Sequence, residues 1–158
     1  MWAGAVVSVH LAEREGEPTF PVTEVRAVAG AGIEGDRHFR PEGYDAPERE
    51  ITLIARETLE ALARDHGIDL EPGEHRRNVV TSGVPLNELV GAEFLVGPVR
   101  VRGVELCEPC KYLENLTGRP GLLRALVHRG GLAVRILDGG VIRAGDPVAP
   151  APAVRQAG

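Results

Sequence analysis

Glycine and proline divide this chain so finely that no apolar run has room to become a long helix. The segments AVVSVHL, VTEVRAV, ITLI, EFLV, VRVRGVEL and LAVRIL are rich in β-branched residues, and each soon meets Gly, Pro or a polar turn. Such side chains fit a pleated surface, so short runs bounded by turn residues read as strands. With 20 Gly, 12 Pro and 4% aromatic residues, the core must come mainly from Val, Leu, Ile and Ala. A chain of 158 residues is long enough to bury one such core.

The details sharpen this picture. In ARETLEALARDHG the spacing of Ala55, Leu59, Leu62 and Ala63 predicts a helix with one apolar face and a stop at Gly67. SGVPLNELVG reads as a turn with a short helical piece, and RPGLLRALVHRGG as a second helix with HRGG at 128–131 as its C-cap. In VRVRGVEL, Val99, Val101 and Val104 are expected on one face, with Arg100 and Arg102 on the other. DGG at 138–140 reads as a hairpin turn before a closing strand in VIRAGDPV, and 37–50 as a long charged loop. The expectation is a mainly β fold: a compact β-barrel of roughly eight strands with two or three helices at its ends. It forms a single domain over 1–149, followed by a Pro/Ala-rich tail at 150–158.

Charge and segment lengths narrow the function. A net charge of −5 lacks the basic face that phosphate neutralisation needs, so no nucleic-acid partner is expected. No apolar run reaches the length of a membrane span, and MWAGAVVSVHLAERE lacks the basic start and cleavage site of a secretory signal. No membrane association and a cytoplasmic location are expected. In a reducing compartment two cysteines are poor candidates for a structural disulfide, which directs attention to their chemistry.

Both cysteines and the only lysine lie in ELCEPCKYL, at Cys107, Cys110 and Lys111. A structural zinc site wants about four ligands, and His10, His38, His66, His75 and His128 supply no paired motif. A thioredoxin-like dithiol wants a βαβ context that is absent elsewhere. Two buried apolar thiols are the plain alternative, which Lys111, Arg119 and Arg124 weaken because nearby cations favour thiolate. Two further segments carry candidate ligands. GIEGDRH sets Asp36, Arg37 and His38 after permissive glycines, and EHRRNVV sets Arg76, Arg77 and Asn78 at the start of a strand. Arginine forks and exposed amides suit a phosphate and a flat heterocycle, although either segment alone could be a solvated charge cluster or a salt-bridged edge.

Taken together and in order, GIEGDRH, PGEHRRNVV, ELCEPC, LVHRGGL and GGVIRAGDPV resemble the MOSC domain, named for the C-terminal domain of molybdenum-cofactor sulfurase. The resemblance implies a MOSC-type β-barrel of mostly antiparallel strands that binds the molybdenum cofactor (molybdopterin). It places Cys110 as the metal ligand or sulfur carrier, with Cys107 and His38 as further catalytic candidates. Asp36, Arg37, His38, Arg76, Arg77, Asn78 and Lys111 would hold the cofactor. The implied activities are reduction of N-hydroxylated small molecules using an external electron donor, or sulfur transfer through a Cys110 persulfide supplied by a cysteine desulfurase. A non-enzymatic cofactor-binding module is the third reading. No PLP is expected in this chain, because the pattern lacks the desulfurase domain of the sulfurase.

Overall fold

The computed structural model describes residues 2–14, 19–42, 50–70, 75–107 and 130–152. The strands are β1 (Gly4–Leu11), β2 (Phe20–Val22), β3 (Glu24–Val28), β4 (Gly32–Ile33), β5 (Ile51–Ala55), β6 (Val79–Ser82), β7 (Glu93–Val96), β8 (Val99–Leu106), β9 (Leu132–Asp138), β10 (Gly140–Arg143) and β11 (Pro147–Pro150). Among the described residues one α-helix, α1 (Arg56–His66), joins β5 to β6, and a 3-10 turn spans Leu86–Glu88. No helix among the described residues is long and apolar enough to cross a membrane.

Seven strands close into a barrel. The order runs β11-β7-β8-β9-β5-β6-β1, and β11 pairs back onto β1 through Gly4 and Val148. Closure removes the unpaired edges that an open sheet would present. All neighbours in the ring are antiparallel except β5 and β6, which run parallel because α1 carries the chain back to the same end between them. The interior is aliphatic: Val9, Leu53, Val79, Val99, Val101, Leu132 and Val134 are fully enclosed, as is Phe94, whose ring packs edge-to-face with Trp2. Each such side chain contributes about 1.5–3 kcal/mol by leaving water.

The expected mainly β barrel is therefore present, and several local expectations are corrected. VTEVRAV is broken at Thr23: β2 stays on β1, while β3 leaves to join a separate sheet ordered β10-β3-β4. DGG is not a hairpin turn, because β9 and β10 do not pair; the chain steps there from the barrel to the small sheet. VIRAGDPV supplies two strands, β10 and β11, with Asp146 folding back to accept the Arg143 N–H at the turn between them. On α1 the buried alanine is Ala61, not Ala63, because the face that meets the barrel is centred on Leu62. In β8 regular alternation carries the inward row from Val99 and Val101 to Gly103, so Val104 falls out of it, and the register against β9 shifts only between Gly103 and Glu105. β11 runs to Pro150, and the Ala151 N–H bonds Glu93 O. The segment read as a second helix and most of the 37–50 loop lie outside the described residues.

Candidate functional site at one end of the barrel

Asp36 and Asn78 come from segments far apart in sequence, and they meet in a buried knot at one end of the barrel. Asn78 Nδ2 donates to Asp36 Oδ1 at 3.4 Å and to the carbonyl of His10 at 3.3 Å. Its Oδ1 accepts from both Thr52 N and Thr52 Oγ1. Asp36 Oδ1 also accepts the Ala12 N–H at 3.0 Å, while Oδ2 accepts the His38 N–H at 3.2 Å. The Arg37 N–H closes the knot on the Ala12 carbonyl. Buried polar groups are costly unless paired, so this network fixes the turn carrying Arg37 and His38 against the ends of β1, β5 and β6.

The run before β6 is shaped as tightly. Arg76 adopts a left-handed backbone, φ 61°, which costs a non-glycine residue energy and persists only where its surroundings enforce it. Those surroundings include His75, whose Nδ1 accepts the Arg77 N–H at 2.9 Å. Burial, then the neighbouring His10 ring and the Arg77 cation, push the His75 pKa down to about 3. Burial lowers His10 as well; its ring packs edge-on to His75 at 4.8 Å, and its Nε2 pairs with Ser8 Oγ. Two neutral imidazoles thus form the base on which Arg76 and Arg77 stand.

The third element is the end of β8. Arg77 Nε donates to the Gly130 carbonyl at 2.7 Å, and the Cys107 N–H bonds Gly131 O at 2.8 Å. The helix that HRGG was expected to cap lies outside the described residues, but packing gives Gly130 and Gly131 a reason of their own. A Cβ on Gly130 would collide with the Cys107 carbonyl, and one on Gly131 with the Leu53 carbonyl. The glycine pair is therefore required for the chain to enter β9 between β8 and β5.

Among the sequence-derived site residues, Asp36, Arg37, His38, Arg76, Arg77, Asn78 and Cys107 gather at this end through the contacts above. Arg37, His38 and Arg77 are half-buried, whereas Arg76 is 9% exposed and Cys107 1%. Cys110 and Lys111 lie outside the described residues. Among the described residues no three His, Cys, Asp or Glu side chains form a metal-binding cluster. Sequence reasoning assigned no site role to His10, Ala12, Thr52 and His75, which organise the site; the first three belong to no motif. His75 alone carried a signal, its place directly before the paired arginines.

The MOSC domain family model matches residues 34–149. Solved structures agree on the fold. The YUAD protein from Bacillus subtilis superposes with a TM-score of 0.78 at 20% identity, covering 94% of this chain and 97% of that one. YiiM from Geobacillus stearothermophilus gives 0.72 at 19% identity, over 94% and 75% of the two chains. YiiM from Escherichia coli gives 0.66 at 18% identity, over 99% and 72%. No curated protein sequence matches this chain. The barrel, the ordered motifs that converge at its end and the family match across most of the sequence lead to one assignment: this chain belongs to the MOSC domain family.

Proposed function

We propose that this protein binds the molybdenum cofactor at the end of the barrel where the 36–38 turn, the 75–78 run and the end of β8 converge, and that it reduces N-hydroxylated small molecules. The observation that carries the reading is this convergence. The Asp36–Asn78 bond and the Arg77–Gly130 bond bring Arg37, His38, Arg76 and the Cys107 end of the cysteine segment to one place. The donor set fits the cofactor: guanidinium groups suit its phosphate, and a nearby cysteine thiolate suits a soft metal. The family as a whole is associated with this cofactor.

In this reading Arg37 and Arg76 hold the phosphate, and Lys111 favours the thiolate form of Cys110. Asp36 and Asn78 already bond within the protein, and they serve by holding the binding turn in place. When bound, the cofactor supplies a metal centre able to exchange two electrons, with Cys110 as the protein's ligand. Reduction of a hydroxylamine takes two electrons from an external donor and two protons, breaks the N–O bond, and yields amine and water. His38 stands on the turn beside the arginines, where an imidazole can pass a proton near neutral pH.

The test is elemental analysis of wild type and Cys110→Ala produced in a host that makes the cofactor. Stoichiometric molybdenum in the wild type and its loss in the variant is the expected result. Equal molybdenum in both would remove Cys110 as ligand. No molybdenum in either, with one added sulfur on Cys110 after treatment with a cysteine desulfurase and cysteine, would favour sulfur transfer instead.

A further inference from the structure

β8 ends just before Cys107 and β9 begins just after Gly131, and the sequence between Cys107 and Gly130 contains Cys110. Its two ends are held together at one point. The Cys107 N–H bonds Gly131 O, Gly130 lies against the Cys107 carbonyl without room for a Cβ, and Arg77 Nε bonds the Gly130 carbonyl from the side. Arg77 is itself oriented from behind, since its backbone N–H is held by the buried His75 ring and the next residue, Asn78, is locked in the Asp36 knot. The guanidinium therefore bridges the 75–78 run to the junction of Cys107 with Gly130 and Gly131.

We infer that Arg77 is a positioning residue: by bonding the Gly130 carbonyl it fixes the junction of Cys107 with Gly130 and Gly131, the two ends of the sequence segment that contains Cys110, through the direction of its Nε–H. The inference rests on the cofactor reading for its consequence, but the clamp itself can be tested without cofactor. A role in phosphate charge would be largely met by lysine. A role as a clamp would not, because an ammonium on a flexible stem cannot reproduce the Nε–H direction of a planar guanidinium.

The experiment uses the full chain in two forms. In a Cys110→Ser background Cys107 is the sole thiol, so its reaction with iodoacetamide under native conditions is read by intact mass. Arg77→Lys and Arg77→Ala should both label about tenfold faster or more than the parent, the factor expected from loss of one charge-assisted hydrogen bond. Arg37→Lys, which alters a cation at the same end without touching Gly130, should not change the rate. Millimolar methylguanidinium should restore protection in Arg77→Ala, a rescue that general destabilisation would not show. In the chain retaining Cys110, Arg77→Lys should lose molybdenum to the same extent as Arg77→Ala.

Wild-type protection of Cys107 in Arg77→Lys overturns the clamp, whatever the metal content. So does faster labelling with molybdenum fully retained, because the junction would then be loose without consequence for the metal. If the wild type binds no molybdenum, the cofactor reading fails separately, and the labelling and rescue still decide whether Arg77 holds the junction. Should Arg77→Ala fail to fold, Arg77→Gln replaces it in both arms.

Discussion

Replacing His75 by asparagine should remove a large part of this protein's acid sensitivity. His75 is 4% exposed and its pKa is pushed down to about 3, so the folded protein holds the ring neutral, whereas the unfolded chain takes up a proton near the ordinary value of 6.5. Between these limits the unfolded state binds more protons, so stability rises with pH. The contribution is complete above pH 6.5 and is lost as pH falls toward 3. At about 1.36 kcal/mol per unit, acidification to pH 5 should cost roughly 2 kcal/mol, and the full span on the order of 5 kcal/mol. His10, also lowered by burial, adds in the same direction, while Glu50, raised by burial, opposes it. Asparagine isolates the His75 share because its Oδ1 can still accept the Arg77 N–H but takes no proton. The variant should lose about 1 kcal/mol at pH 7.5 from the missing ring packing. Urea unfolding at pH 7.5, 6.5, 5.5 and 5.0 would follow both proteins. The wild type should lose about 2 kcal/mol more than the variant across that range, so that the two curves converge or cross. Parallel curves would mean that His75 titrates normally in the folded protein, and the argument from its burial would be wrong.

Asn78→Ala should cost about 2–4 kcal/mol in denaturant unfolding, because it strips the half-buried Thr52 N–H and the His10 carbonyl of a partner and weakens the hold on Asp36; a loss under about 0.5 kcal/mol would show that the knot is not a stabilising unit. Gly131→Ala should prevent accumulation of folded protein, since it combines a φ of 108° with a Cβ collision on the Leu53 carbonyl. Gly145→Ala serves as its comparison. Its φ of 93° is similarly unfavourable for a side chain, but nothing lies near the added Cβ, so it should fold with only a modest loss; equal behaviour of the two in a solubility and circular dichroism screen would refute the packing argument.

The strands were readable where local chemistry alone decides. Val99 to Val101, Ile51 to Ile54 and Leu132 to Ile136 are β-branched or aliphatic runs bounded by turn residues, and each forms its strand wherever it ends up in the barrel. Helix α1 and its stop at Gly67 were equally local. What failed were statements about partners. DGG looked like a hairpin because hairpins are the commonest use of such a turn, yet β10 found β3, a neighbour more than a hundred residues earlier. For Val104 to share the face of Val99 and Val101 the strand would need a bulge before it, and the register shift against β9 comes only after Gly103.

The site divides along the same line. Residue type in the sequence identified Arg37, His38, Arg76, Arg77 and the cysteines as chemically able groups, because guanidinium, imidazole and thiolate carry their capacities wherever they stand. Only the tertiary structure could show that Asp36 and Asn78 bond each other, that His75 is neutral, and that Arg77 reaches Gly130 across more than fifty residues of chain. Burial, desolvation and hydrogen-bond direction are properties of an environment assembled from distant segments, and no single segment of the sequence contains them.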